Sequence, residues 1–198
     1  EFRRVLFRSG NTNAMTSHAE ALAEWLVQQH QDRAPLRAVP GDFAPESRAQ
    51  AVEAQQAFVD IKARYCGEAI GWKIALATPV MQAMVGLDAP IAGRLHSKQV
   101  IDSPAKTESA SYGRLLVEFE IAVRIASDLK PPRGRGTSRH DRYSVLDAVD
   151  AVAPAMELAD DRCADYDKMA QHGLQLLADN AWNEGAILGR WRRDWRSL

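Results

Sequence analysis

The eleven residues Leu115–Ile125 (LLVEFEIAVRI) alternate so regularly that they constrain the chain more than any other segment. Successive side chains of a strand leave opposite faces, so Val117, Phe119, Ile121, Val123 and Ile125 share one face. Glu118, Glu120, Ala122 and Arg124 share the other. A strand of this length needs a sheet around it, and that sheet needs a layer to cover its apolar side. The same geometry aims two carboxylates in one direction, about 6–7 Å apart at Cα. Side chains of that length can converge on one hard cation. Spacing alone also fits an ordinary solvated face, with Arg124 offsetting the repulsion.

The flanking segments supply the layer. Ser17 caps a predicted helix running to about His30, with Leu22, Trp25 and Leu26 as its apolar stripe. A second helix is predicted from near Pro45–Glu46, with Ala54, Phe58, Ile61 and Tyr65 on one side and Gly67 as its stop. Ala69–Leu76 reads as a short buried strand carrying Lys73. Thr78–Pro79 opens a short helix that ends at Gly86, and residues 90–101 read as strand and turn. Residues 129–143 form a Pro/Gly/Arg surface loop. Ser144 with Asp147 resembles a capping box for a helix over 144–152, followed by a strand at Ala155–Leu158 and a helix over 167–178. Helices first and a mixture afterwards predict an N-terminal helical layer on a mixed sheet.

Composition narrows the function classes. Twenty-five basic against 26 acidic residues leave a formal net charge of −1, which gives no field toward nucleic acid or a membrane surface. The Arg/Trp tail at 187–198 is too small a basic patch to change that expectation. No apolar run approaches the roughly 18–20 residues of a spanning helix. Cys66 and Cys163 make no disulfide framework and suit a reducing cytoplasm. Residues 1–14 read as a non-native or disordered leader, leaving 15–198 as one catalytic domain.

Three further residues are candidates for chemistry. Glu157, in Pro154–Leu158, would add a third carboxylate if its strand neighboured the first pair. The three would form a facial oxygen triad for one hard divalent cation, with positions left open for substrate and water. Lys73, flanked by apolar residues, is either a proton carrier or a side chain reaching out from a strand end. Asp88 reads by default as a turn residue. No histidine has ligand spacing, and no phosphate loop or nucleophile elbow occurs.

Four blocks, in order, carry a resemblance: Gly71–Gln82 with Gly86–Pro90, Val117–Ala122, Pro154–Arg162, and Ala178–Asn180 through Ile187–Gly189. Together they resemble the 2-keto-4-pentenoate hydratase branch of the fumarylacetoacetate hydrolase superfamily. The resemblance implies an α+β fold, with N-terminal helices packed on a mixed β-roll, and a hydro-lyase dependent on a divalent cation, Mg²⁺ or Mn²⁺. The substrate would be a small 2-hydroxy-2,4-dienoic acid from aromatic-compound catabolism. It places metal ligands at Glu118, Glu120 and Glu157 and catalytic residues at Lys73 and Asp88. It also implies a homo-oligomer, associated in some cases with a decarboxylase or aldolase of the same pathway. Related activities on the same chemistry are a 2-oxo acid decarboxylase and an acylpyruvate C–C hydrolase; a non-catalytic partner subunit is the alternative outside catalysis. Two features depart from the pattern: Trp182–Asn183–Glu184 replaces a run of small residues, and the chain stops where relatives continue into further strands.

Overall fold

The computed structural model describes residues 17–129 and 140–197. The expected leader at 1–14, and residues 130–139 of the expected loop, lie outside the described residues.

Helix α1 (His18–Gln31) begins with a complete capping box. Ser17 Oγ accepts the Glu20 amide proton and Glu20 accepts from the Ser17 amide. Helix α2 (Arg48–Cys66) is capped by Ser47, so it starts slightly later than its sequence suggests, and Gly67 ends it at φ 81°. Leu22, Leu26, Ala51, Ala54 and Phe58 are buried where the two helices pack. Tyr65, placed in the stripe by spacing, is 45% exposed at the fraying end.

Strand β1 (Ala69–Ala75) pairs antiparallel with β2 (Ile91–His96), setting Lys73 opposite Gly93. Between them lies α3 (Pro79–Met84), capped by Thr78. A second sheet has the order β3-β6-β5-β4. It comprises β3 (Val100–Asp102), β4 (Leu115–Ile125), β5 (Val149–Asp160) and β6 (Asn183–Leu188). Pairing is antiparallel except between β3 and β6, so the sheet is mixed. With its helices the chain is an α+β fold.

Three segments differ from their sequence reading. The cap at 144 moves to Asp141, whose carboxylate accepts the Ser144 amide proton, and α4 (Arg142–Asp147) stops before 149. The β-branched residues Val149 and Val152 continue into strand β5, which pairs with β4 along almost its whole length. The predicted helix over 167–178 divides at His172 into a 3₁₀ turn (Tyr166–Gln171) and α5 (Gly173–Ala178). Gly173 makes that break tight, since a Cβ there would stand 2.3 Å from the Val85 carbonyl oxygen.

The apolar side of β4 is the larger surprise. Phe119 is 84% and Ile121 72% exposed, so among the described residues nothing covers the face that alternation marks as a core face. The Arg/Trp tail instead packs beside β5: Arg192 bridges Val152 through backbone hydrogen bonds, and Trp191 takes the Arg124 guanidinium over its ring. Among the described residues no helix is long and apolar enough to cross a membrane.

Candidate metal centre

Register builds the site. Glu118 and Glu157 are direct cross-strand partners, and Glu120 lies two residues along the same face of β4. Like charges placed directly opposite each other are destabilising in a sheet unless something compensates them. One carboxylate oxygen from each of the three lies within 4.8 Å of the others. Oxygens on a cation with bonds of about 2.1 Å stand about 3 Å apart when adjacent, so modest side-chain rotation brings the set together. Glu157 is buried, whereas Glu118 and Glu120 are exposed.

Lys73 reaches this centre from the other sheet. Its Nζ lies 2.9 Å from Glu157 Oε2, and its side chain is only 10% exposed. Strand β1 therefore directs the ammonium inward, while its neighbours Trp72 and Ile74 point to solvent. Asn183 donates from Nδ2 to Glu157 Oε1 at 2.9 Å, so each Glu157 oxygen has its own donor. Burial pushes the Glu157 carboxyl above the usual range against the pull of Lys73 and Asn183, and Glu118 adds to that push. Arg124 does not offset the glutamates; its guanidinium is committed to Asp150 at 2.7 and 2.8 Å. Three carboxylates thus converge, one of them paired with the Lys73 ammonium, and the all-oxygen donor set fits a hard divalent cation.

Asp88 stands apart. It lies in the exposed bend between α3 and β2, with no side-chain hydrogen bond or ion pair among the described residues.

A second cluster, unread in the sequence, lies beneath β6. His30 Nε2 lies 2.6 Å from Asp179 and Nδ1 lies 3.0 Å from Glu184. Both neighbours accept, so both ring nitrogens donate and the ring is an imidazolium. Burial opposes that charge, but Asp179 and Glu184 outweigh it and raise the His30 pKa to about 9. Burial alone would raise Glu184 as well, yet Lys62, at 2.7 Å, and His30 hold it well below the usual carboxylate range. Arg162, fully buried, pairs with the other oxygen of Asp179. A single sequence holds no signal for this cluster, because its members come from four separated segments.

The Asp179–Asn183 turn joins the two clusters. Asn180, Ala181 and Trp182 all take positive φ, at 53°, 52° and 59°. Left-handed backbone costs on the order of 1 kcal/mol or more at each such residue and needs external support. Asn180 supplies it by bonding both the amide and the carbonyl of Arg94 on β2, at 2.6 and 3.0 Å.

Fold and site together define an α+β protein with an acidic centre suited to a divalent cation. No family model matches the sequence. The chain is 30% identical over 171 residues to the 2-oxo-hept-4-ene-1,7-dioate hydratase of Escherichia coli, covering 85% of this chain and 62% of that protein. It is 29% identical to a 4-oxalocrotonate decarboxylase of a Pseudomonas species (77% and 56% covered) and 26% identical to the 2-keto-4-pentenoate hydratase of Paraburkholderia xenovorans (86% and 60%). It spans under two thirds of the length of these relatives. The solved 4-oxalocrotonate decarboxylase of Pseudomonas putida G7, complexed with magnesium and adipate, superposes with a TM-score of 0.74 at 23% identity, covering 94% of this chain and 68% of that one. The same decarboxylase has also been solved with calcium and acetate. The chain is thus similar in sequence to curated 2-keto-4-pentenoate-type hydratases and a decarboxylase at 26–30% identity, and in fold to a solved decarboxylase.

Proposed function

We propose that this protein is a metal-dependent hydratase that adds water to a 2-hydroxy-2,4-dienoate to give a 4-hydroxy-2-oxo acid. The observation that carries the reading is the convergence of Glu118, Glu120 and Glu157 beside the Lys73 ammonium. The similar hydratases support the reaction type. Glu118, Glu120 and Glu157 would hold a divalent cation, Mg²⁺ or Mn²⁺, which would supply Lewis acidity to stabilise negative charge on the substrate's C2 oxygen. Lys73 Nζ carries the proton delivered to C5 while the C2 hydroxyl releases its own, leaving a conjugated 2-oxo-3-enoate. A water then adds its hydroxyl at C4 and its proton at C3, so the net change is one water. Asp88 is assigned the second proton transfer, from the exposed bend that leads into β2. On this reading the four-stranded sheet is part of a mixed β-roll, and the enzyme is a cytoplasmic homo-oligomer of aromatic-compound catabolism.

Decarboxylation of a 2-oxo acid is the second reading, favoured by the fold similarity to the decarboxylase. Both readings need the same charge stabilisation at C2. A C–C hydrolase needs a histidine free to accept a proton. Among the described residues the His30–Glu184 pair beside β6 does not offer it, because His30 donates from both ring nitrogens.

The test is calorimetric titration with Mg²⁺ and Mn²⁺, followed by product analysis on 2-hydroxypenta-2,4-dienoate and 4-oxalocrotonate. Cation binding with a hydrated acid as product supports the hydratase. Carbon dioxide from the second substrate alone replaces it with the decarboxylase. Absence of cation binding overturns both and leaves a non-catalytic partner subunit.

A further inference from the structure

We propose that Asn183 is a positioning residue for the Glu157 carboxylate, holding it toward the cation through the oxygen opposite the one paired with Lys73. The proposal rests on the metal reading of the triad and deepens it.

Glu157 is the buried member of the three, and its two oxygens are held from two directions. Lys73 Nζ holds Oε2 and Asn183 Nδ2 holds Oε1, each at 2.9 Å. A carboxylate oxygen has two lone-pair directions, so Oε1 can accept from the amide and still face a cation. The two donors differ in kind. Lys73 brings a charged ammonium on a long stem from β1, whereas Asn183 brings a neutral, planar amide from β6.

The environment fixes which way the amide points. Asn183 is 1% exposed, and its Oδ1 is buried without a hydrogen-bond partner. Reversing the amide would set Oδ1 against Oε1, two acceptors face to face, so the Glu157 carboxylate itself holds the nitrogen toward it.

The chain delivers Asn183 by an expensive route. Three consecutive left-handed residues precede it, and the turn they form is pinned to β2 through Asn180 and Arg94. The same turn lies against Gly93, the register partner of Lys73: a Cβ on Gly93 would meet the Asn180 carbonyl oxygen at 2.5 Å and Lys73 Cγ at 3.2 Å. Both donors to Glu157 are therefore set by one contact between the turn and β2. Asn183 itself has ordinary extended backbone (φ −66°, ψ 126°), so its replacement brings no backbone strain of its own.

The experiment compares wild type, Asn183→Leu and Asn183→Ser for Mn²⁺ affinity by calorimetry, with circular dichroism and thermal midpoint as controls for folding. Loss of a partner that orients a ligand typically weakens metal affinity by about 10–100-fold. That is the expected change in Mn²⁺ dissociation constant for Asn183→Leu, with activity recovering as Mn²⁺ is raised. A merely structural role gives no such recovery. Asn183→Ser answers the same question if the leucine variant does not fold. Wild-type affinity in a folded variant overturns the positioning role and leaves the metal reading standing. A wild-type protein that binds no Mn²⁺ overturns both.

Discussion

Two clusters of charge flank the Asp179–Asn183 turn, and they are built on opposite balances. Beneath β6, Asp179 and Glu184 meet His30, Lys62 and Arg162, and each carboxylate is paired with buried cations. In the other cluster Glu157 is paired with Lys73, while Glu118 and Glu120 have no ion pair among the described residues. A buried charge is tolerated when it is paired and hydrogen-bonded, and in the first cluster every carboxylate has its cations within the chain, although Arg162 Nε and Nη1 are left without an acceptor. The second holds surplus negative charge near the surface, which is what a divalent cation neutralises. The same residue types thus make a brace in one place and a ligand set in the other; partner count and exposure decide which.

Removing carboxylates should separate the two most sharply. Glu118→Gln or Glu157→Gln should abolish metal-dependent turnover, on the order of 10⁴-fold or more where Lewis-acid stabilisation is lost. Folding should be largely intact, as followed by circular dichroism and steady-state assay. Unchanged turnover in either variant removes the triad from the mechanism. Lys62→Met should do the reverse. Glu184 would lose its closest cation, at a cost of about 3–5 kcal/mol in urea unfolding. The Mn²⁺ affinity of the remaining folded protein should stay close to wild type. An equal loss of cation affinity would mean that the clusters are one unit.

The milder probe is pH. Folding raises His30 from 6.5 to about 9, so its contribution is full below pH 6.5 and is lost as pH rises through about 9. The shift corresponds to an upper bound of about 3 kcal/mol. Glu184 has the opposite sign: its carboxyl is depressed, so its contribution is present above its unfolded value and falls away in acid. Urea midpoints should therefore fall between pH 6.5 and 9.5 in wild type. The fall should be flatter in His30→Gln. An identical slope in that variant would assign the alkaline loss to other groups.

Local signals in the sequence were readable where one element carries them whole. The capping box at Ser17–Glu20, the stop at Gly67, the cap at Thr78 and the alternation of 115–125 each depend on neighbours within a few residues. Segments whose state depends on distant pairing were not. Val149–Val152 follows a short helical pattern but becomes strand because β4 offers hydrogen-bond partners along its length. The segment from 167 to 178 has helical spacing, yet the contact of Gly173 with Val85 divides it. The candidate site divides in the same way. Glu118 and Glu120 share a face by strand period alone, whereas Glu157 joins them by the β4–β5 register and Lys73 by a second sheet. Asn183 was visible only as a departure from the family pattern, and the His30 cluster was not visible at all.

The order of residues was enough to settle two helices ahead of a mixed sheet and a strand presenting paired glutamates, since helix and strand periods act over a few residues. Which acids stay paired and which are left over is a matter of register, turn conformation and burial. Those quantities exist only once distant segments touch, because an electrostatic partner is defined by distance in space and not along the chain.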